Sequence, residues 1–146
     1  MVFQQIIQNE VLKVSLLSWL VAQILKVLST FAKEKRIDLY RLVGSGGMPS
    51  SHSSFVMGLS TAIGLKNGWT SDEYAIALAF ALIVMYDASG VRRAVGKQAI
   101  ILNQLIKDWQ KHKPIKEKQL KELIGHTPIE VIVGGLIGIL IACISI

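Results

Sequence analysis

The sequence is poor in residues that cross-link a chain or ligate metals. Its 146 residues include one cysteine and three histidines. Cys143 has no partner for a disulfide within the chain, and a zinc site made of cysteines is excluded. The first ten residues contain no lysine or arginine, so we expect no secretory signal peptide. Stability must therefore come from packing rather than from cross-links.

Acidic residues are scarce relative to basic ones, 10 against 16. The resulting net charge of +6 is compatible with a nucleic-acid partner. Nucleic-acid binders, however, interleave aromatic and basic residues, and this chain does not. Its basic residues instead flank apolar segments. We therefore expect a membrane protein with no nucleic-acid partner.

Hydrophobic residues make up 51% of the chain and are concentrated in four blocks, at about 11–32, 52–65, 74–86 and 128–146. The first and last are long enough to cross a bilayer. The second is rich in small residues, which let helices approach closely in lipid, so we expect an inner helix. The pattern predicts one all-α domain over residues 1–146, a small integral membrane bundle of about four transmembrane helices.

An amphipathic helix is predicted at about 91–110. Apolar residues recur there every three or four positions, at Val95, Ala99, Leu102, Leu105, Ile106 and Trp109. We expect this helix to lie along the membrane surface or to cap the bundle. The lysine-rich stretch at about 111–125 is expected to be an exposed loop.

Three glycines in the last apolar block allow close helix contact, namely Gly134, Gly135 and Gly138. They are placed either to meet a second copy in a homodimer or to pack within one chain. The sequence leaves both arrangements open.

Basic residues form two clusters, one after the first block and one between the third and fourth. The connection at 67–73 contains none. The positive-inside rule places both clusters on the cytoplasmic side. Three polar segments, at 46–54, 86–97 and 125–130, then emerge on that same face.

The segment 46–54 joins two glycines, four serines and His52 to the start of an apolar helix. One interpretation is a tight turn with Ser50 or Ser51 as the helix cap. The other is a phosphate site, in which Gly47 allows close backbone approach. The amides of Ser50 and Ser51 would then hold phosphate oxygens, and His52 would donate a proton to the leaving oxygen.

The segment 86–97 places three cations after an apolar block. Such a cluster at a membrane edge commonly binds lipid headgroups. If the stretch is helical, Arg93 and Lys97 share one face with Arg92 beside them, and this arrangement matches a phosphate. Asp87 is placed to orient these cations, and one carboxylate by itself does not predict a metal site.

The segment 125–130 contains a capping box from Thr127 to Glu130, with Pro128 at the first helical position. The box explains Glu130 but not His126. A histidine four residues before a carboxylate is suited to act as a nucleophile that the acid orients. Glu130 is able to serve both purposes.

Two of these segments resemble motifs of a known family. Residues 48–53 look like the Pro-Ser-Gly-His motif of type 2 phosphatidic acid phosphatases and vanadium-dependent haloperoxidases. Residues 125–130 look like the downstream motif of that family, in which a histidine precedes an acid by four positions. The pattern is similar to the divergent, haloperoxidase-related branch of small bacterial and plastid membrane proteins, and it covers nearly the whole chain.

The resemblance implies a mechanism. His126 would attack phosphorus to form a phosphohistidine, Glu130 would orient it, and His52 would protonate the leaving group. No metal and no cofactor are implied.

The chain also departs from the family pattern. Ser51 stands where the family has glycine, and Leu120 where it has an arginine. No lysine-to-arginine pair of the upstream motif is found before Gly46. We expect Arg92, Arg93 and Lys97 to replace the missing cations.

Two functions are compatible with the sequence. The first is a membrane phosphatase, a phosphoric monoester or diphosphate hydrolase, whose substrate is a phospholipid or isoprenoid phosphate or pyrophosphate. The second is a non-catalytic module that binds anionic lipids or assists assembly. Either protein would lie in a bacterial cell membrane or a plastid membrane, with its motif loops on the cytoplasmic side, and a homodimer is possible.

Overall fold

The fold is described by a computed structural model over residues 2–35, 47–110 and 125–146. All regular structure in these residues is helical, which confirms the predicted all-α class. The six helices are α1 Val2–Gln8, α2 Glu10–Glu34, α3 Ser51–Asn67, α4 Asp72–Ser89, α5 Val91–Gln110 and α6 Pro128–Ser145. The short helix α1 is not predicted by the sequence, since seven residues carry too little periodicity.

Short polar side chains begin four of these helices. Asn9, Ser50, Ser71 and Thr127 cap α2, α3, α4 and α6. Each side-chain oxygen accepts a hydrogen bond from a backbone N–H of the first turn, at 3.0 to 3.4 Å. These donors have no partner inside the helix, so the caps determine where the helices begin.

Three stretches of the described residues are long and apolar enough to cross a membrane, namely Glu10–Ala32, Asp72–Lys107 and Pro128–Ser145. The predicted membrane bundle is confirmed in class, whereas the predicted number of four transmembrane helices is not established. Helix α3 has 17 residues and lies between α2, α4 and α6. Its small residues therefore pack against protein, as expected for an inner helix.

Hydroxyl groups inside the bundle bond to helix backbone. Ser15 and Ser18 of α2 donate to carbonyl oxygens one turn earlier, at 2.7 and 2.8 Å. Ser54 of α3 donates to the carbonyl oxygen of Ser18 at 2.8 Å and so connects the two helices. A polar group in an apolar interior must be paired, and these serines are.

Glycines bring α6 into close contact with α3. A Cβ atom at Gly134 would collide with the backbone carbonyl oxygen of Ser50, and one at Gly138 with that of Ser54. Gly135 faces the side chains of Met57 and Met85. The three glycines therefore serve packing within one chain. The homodimer stays a prediction, and these glycines no longer support it.

Helix α5 leaves the bundle after Gly90 and contacts α4. Ala99 and Asn103 are buried, while Leu105 and Trp109 are 59% and 65% exposed. Its open apolar side is compatible with the membrane-surface position expected from the sequence. The predicted basic loop lies outside the described residues except for Gly125.

We predict that Gly138→Ala destabilises the bundle although alanine favours helices. The added Cβ would collide with backbone atoms of Ser54 and Gly58, which cannot rotate away. We expect a loss of about 1–3 kcal/mol, typical of overpacking. Thermal unfolding in detergent measures it.

Gly135→Ala is the matched control, because its Cβ would meet the flexible side chain of Met57 at 3.3 Å. This variant should unfold at or above the temperature of the parent protein, since alanine gains about 1 kcal/mol over glycine in a helix. Equal unfolding temperatures for both variants would contradict the close α3–α6 contact.

Candidate active site

The three polar segments meet at one end of the bundle. The Ser50 N–H donates to the carbonyl oxygen of Glu130 at 3.0 Å, which joins the starts of α3 and α6. The His126 N–H donates to the carbonyl oxygen of Ala88 at 2.9 Å, which joins the end of α4 to the same place. The Ser29 hydroxyl of α2 donates to the Met48 carbonyl oxygen at 2.6 Å. Four helices thus hold the site.

Glu130 holds the imidazole of His126 and also closes the capping box. Its Oε2 atom lies 3.1 Å from His126 Nδ1 and accepts the Thr127 N–H at 3.2 Å. The Thr127 hydroxyl accepts the Glu130 N–H at 3.3 Å. The two interpretations of this segment are therefore compatible, because one carboxylate oxygen makes both contacts.

His126 is buried, with 3% of its surface exposed. Burial lowers the pKa of His126, while the hydrogen bond and the charge of Glu130 act to raise it. The charge of Lys26 lowers this pKa further, and a backbone hydrogen bond with Gly47 acts to raise it. The net shift is downward from 6.5, which favours a neutral ring at pH 7. In the neutral tautomer whose Nδ1–H donates to Glu130, the lone pair lies on Nε2.

His52 lies in the first turn of α3 and is exposed. Its ring centroid is 6.4 Å from that of His126, with 59° between the ring planes. The two imidazoles are therefore neighbours at this end of the bundle.

Lys26 is a site residue that the sequence analysis missed. It lies in α2 and is 1% exposed, and its Nζ atom donates to Gln23 Oε1 at 2.7 Å and to Ser51 Oγ at 3.3 Å. A charge inside a membrane segment is rare and points to function, which is the signal that could have found it. Lys26 thus supplies a cation from the part of the chain before Gly46, where no lysine-to-arginine pair is found.

Ser50 is the helix cap of the first interpretation of this motif and not the phosphate ligand of the second. The Ser50 amide was expected to hold a phosphate oxygen, but it donates to Glu130, and its hydroxyl accepts from Ser53 at 2.9 Å. That expectation is wrong for Ser50, which caps α3. Ser51 is buried and its hydroxyl accepts from Lys26. Gly47 has a φ of 91°, a backbone conformation that favours glycine.

The remaining predicted cations lie at the start of α5. Arg92 and Arg93 are in its first turn, and their side chains lie outside the described residues. Lys97 follows one turn later and is exposed. Asp87 is half-buried in the last turn of α4, next to the Ala88 carbonyl that binds His126.

Comparison with known proteins places this chain in a family. The model of the family described as "Divergent PAP2 family" matches residues 7–141. The chain belongs to the divergent PAP2 family. It is 40% identical over 151 residues to the uncharacterized membrane protein YuiD of Bacillus subtilis (strain 168), with 96% of each chain covered. No solved structure matches it.

Membership of the divergent PAP2 family confirms the resemblance drawn from the two histidine motifs. The structure also gives this divergent PAP2 protein a physical reason for Ser51, which stands where the Pro-Ser-Gly-His motif has glycine. Ser51, where glycine was expected, offers Lys26 a hydroxyl acceptor inside the bundle. A glycine there would leave the buried ammonium one partner fewer.

We predict that the pKa of His126 responds in opposite directions to its two charged neighbours. Glu130→Gln removes the carboxylate that favours the imidazolium, so the pKa should fall further. Lys26→Met removes a cation that disfavours it, so the pKa should rise. Histidine NMR titration in detergent micelles measures both.

Glu10→Gln is the control, because Glu10 pairs with Lys66 near the other end of the bundle. It should leave the His126 titration unchanged. A rise in the pKa of His126 in Glu130→Gln would contradict the contact described above.

Proposed function

We propose that this protein is a membrane phosphatase that hydrolyses a lipid phosphate or pyrophosphate through a phosphohistidine. One observation carries the proposal. A buried His126, held at Nδ1 by Glu130, faces an exposed His52 at 6.4 Å. We assign His126 as the nucleophile, Glu130 as the acid that orients it and His52 as the proton donor, and their proximity supports these roles.

The first step forms the covalent intermediate. Nε2 of His126 attacks phosphorus, and the bond from phosphorus to the leaving oxygen breaks. His52, in its protonated form, gives its proton to that oxygen, so the product leaves as a neutral alcohol or as a protonated phosphate. Glu130 stabilises the positive charge that develops on the attacking ring.

The second step releases phosphate. His52, now neutral, takes a proton from a water molecule, whose oxygen attacks phosphorus. The bond between phosphorus and Nε2 breaks, and its electron pair returns to His126. Inorganic phosphate leaves, and both histidines regain their starting protonation states.

Cations would stabilise the charge on the phosphoryl oxygens. Lys26 is the innermost, fixed by Gln23 and Ser51. We assign Arg92, Arg93 and Lys97 to the entrance of the site, where they would bind the incoming phosphate, with Asp87 orienting them. The positive-inside rule would put this entrance on the cytoplasmic face of a bacterial cell membrane, or on the equivalent face of a plastid membrane.

We predict that the purified protein releases inorganic phosphate from lipid phosphates, that vanadate inhibits the reaction, and that EDTA does not. His126→Ala removes the nucleophile and should abolish release. His52→Ala should lower kcat by about 10²–10⁴-fold, the usual contribution of a general acid. A phosphate-release assay in detergent measures these rates.

His112→Ala is the control, since the third histidine belongs to neither motif. It should keep the parent rate. Full activity in both motif variants would contradict the mechanism. Retained binding of anionic lipid without any phosphate release would instead support the alternative, a non-catalytic lipid-binding module.

We predict that Lys26→Met separates activity from stability. Loss of the cation should lower kcat on the order of 10²–10³-fold, as for removal of one preorganised charge-stabilising group. Unfolding temperature should change little, because relief from the cost of burying an ammonium offsets the loss of the donor to Gln23 and Ser51. Lys66→Met, at the exposed pair with Glu10, is the matched control and should retain activity.

A further inference from the structure

A lateral groove runs over α3 between α2 and α4. Its cavity has a volume of about 460 Å³. Six of its lining side chains are apolar, two from each helix: Leu16 and Trp19, Phe55 and Val56, and Phe80 and Val84. The seventh is His52. We call this cavity the lateral groove.

The lateral groove opens toward the lipid side of the bundle. Leu16, Trp19 and Phe80 are 51%, 39% and 50% exposed. All three belong to stretches that are long and apolar enough to cross a membrane. A hydrocarbon chain can therefore enter the groove sideways from the bilayer without passing through water.

One end of the groove reaches the site. His52 is its polar lining residue and lies 6.4 Å from His126, ring to ring. The groove therefore changes from polar to apolar along its length, as an amphiphile does. A phosphate between the two histidines would direct its attached chain along Phe55 and Val56.

The volume decides how many chains the groove can hold. A methylene group is close in size to a water molecule, which takes about 30 Å³ of the liquid. A cavity of about 460 Å³ therefore has room for about fifteen carbon atoms. That is one chain of ordinary length, whereas the second chain of a diacyl lipid would have to stay outside.

We infer that the lateral groove binds the hydrocarbon chain of a single-chain lipid phosphate, with the phosphate held between His52 and His126. This inference rests on the proposed phosphatase function, and it adds the substrate class. The competing explanation is that bulk membrane lipid fills the groove without selection. The two differ in whether chain length and headgroup affect binding.

Turnover tests the length of the chain. Linear alkyl phosphates of 4, 8, 12, 16 and 20 carbons are compared in detergent micelles with phosphatidic acid, which carries two chains. We expect kcat/KM to rise at least a hundredfold from 4 carbons to about 16 and then to level off, as contacts along the groove are completed. Phosphatidic acid should be at least tenfold poorer than the 16-carbon phosphate. A flat profile would overturn the inference.

A groove-filling variant tests the location. Val84→Phe should lower kcat/KM for the 16-carbon phosphate at least tenfold and leave the 4-carbon rate unchanged, because only the long chain reaches that wall. Ile83→Phe is the matched control, since it is the neighbouring residue of α4, is 67% exposed and does not line the groove. An equal loss in both variants would contradict the assignment.

A binding experiment separates failure of the inference from failure of the proposed function. His126→Ala protein is titrated with a 16-carbon phosphate that carries bromine in mid-chain, and with the corresponding brominated alcohol. We expect the phosphate to quench tryptophan fluorescence at a concentration at least tenfold lower than the alcohol. Trp19→Phe in the same background should remove this quenching.

Quenching at Trp19 without phosphate release from the parent protein would overturn the phosphatase function but support chain binding in the groove. Phosphate release without quenching at Trp19 would support the phosphatase function but overturn chain binding in the groove. Equal quenching by the phosphate and the alcohol would mean that bulk lipid fills the groove and would overturn the inference.

Discussion

Glu130 connects the packing of this protein to its chemistry. Its carboxylate accepts from the imidazole of His126 and from the Thr127 amide, while its carbonyl oxygen accepts from the Ser50 amide. One residue thus starts α6, aligns the imidazole and attaches the first turn of α3. These contacts require the two helices to touch, which Gly134 allows because it has no side chain. The position of the site therefore depends on backbone contact between α3 and α6.

Burial of charge is the second constraint on the site. A lysine inside a membrane bundle is unfavourable unless polar partners surround it, and Gln23 and Ser51 supply them to Lys26. Burial lowers the pKa of His126 most, Glu130 and a backbone hydrogen bond act to raise it, and Lys26 lowers it further. The lowered pKa of His126 is thus the result of four competing influences. A cation that is fixed before a phosphate arrives needs no rearrangement to stabilise its charge.

The polar site and the lateral groove together present a polar end followed by an apolar surface, as a lipid phosphate does. His52 lies in the first turn of α3, and His126 lies just before α6. The apolar walls of the groove extend from His52 along α2, α3 and α4. A membrane enzyme with this layout would recognise its substrate by chemistry at one end and by chain length at the other. The open apolar side of α5 would keep the entrance close to the membrane surface.

Relations within one or two helical turns could be predicted from the sequence. The helix caps, the capping box and the pairing of His126 with Glu130 all join residues three or four positions apart, a distance set by helix geometry. Family membership followed from the same local motifs. Only the tertiary structure decided that Lys26 meets Ser51, 25 positions away, and that the Ser50 amide is occupied by Glu130. Those contacts depend on which helix faces pack together, and local pattern does not specify this.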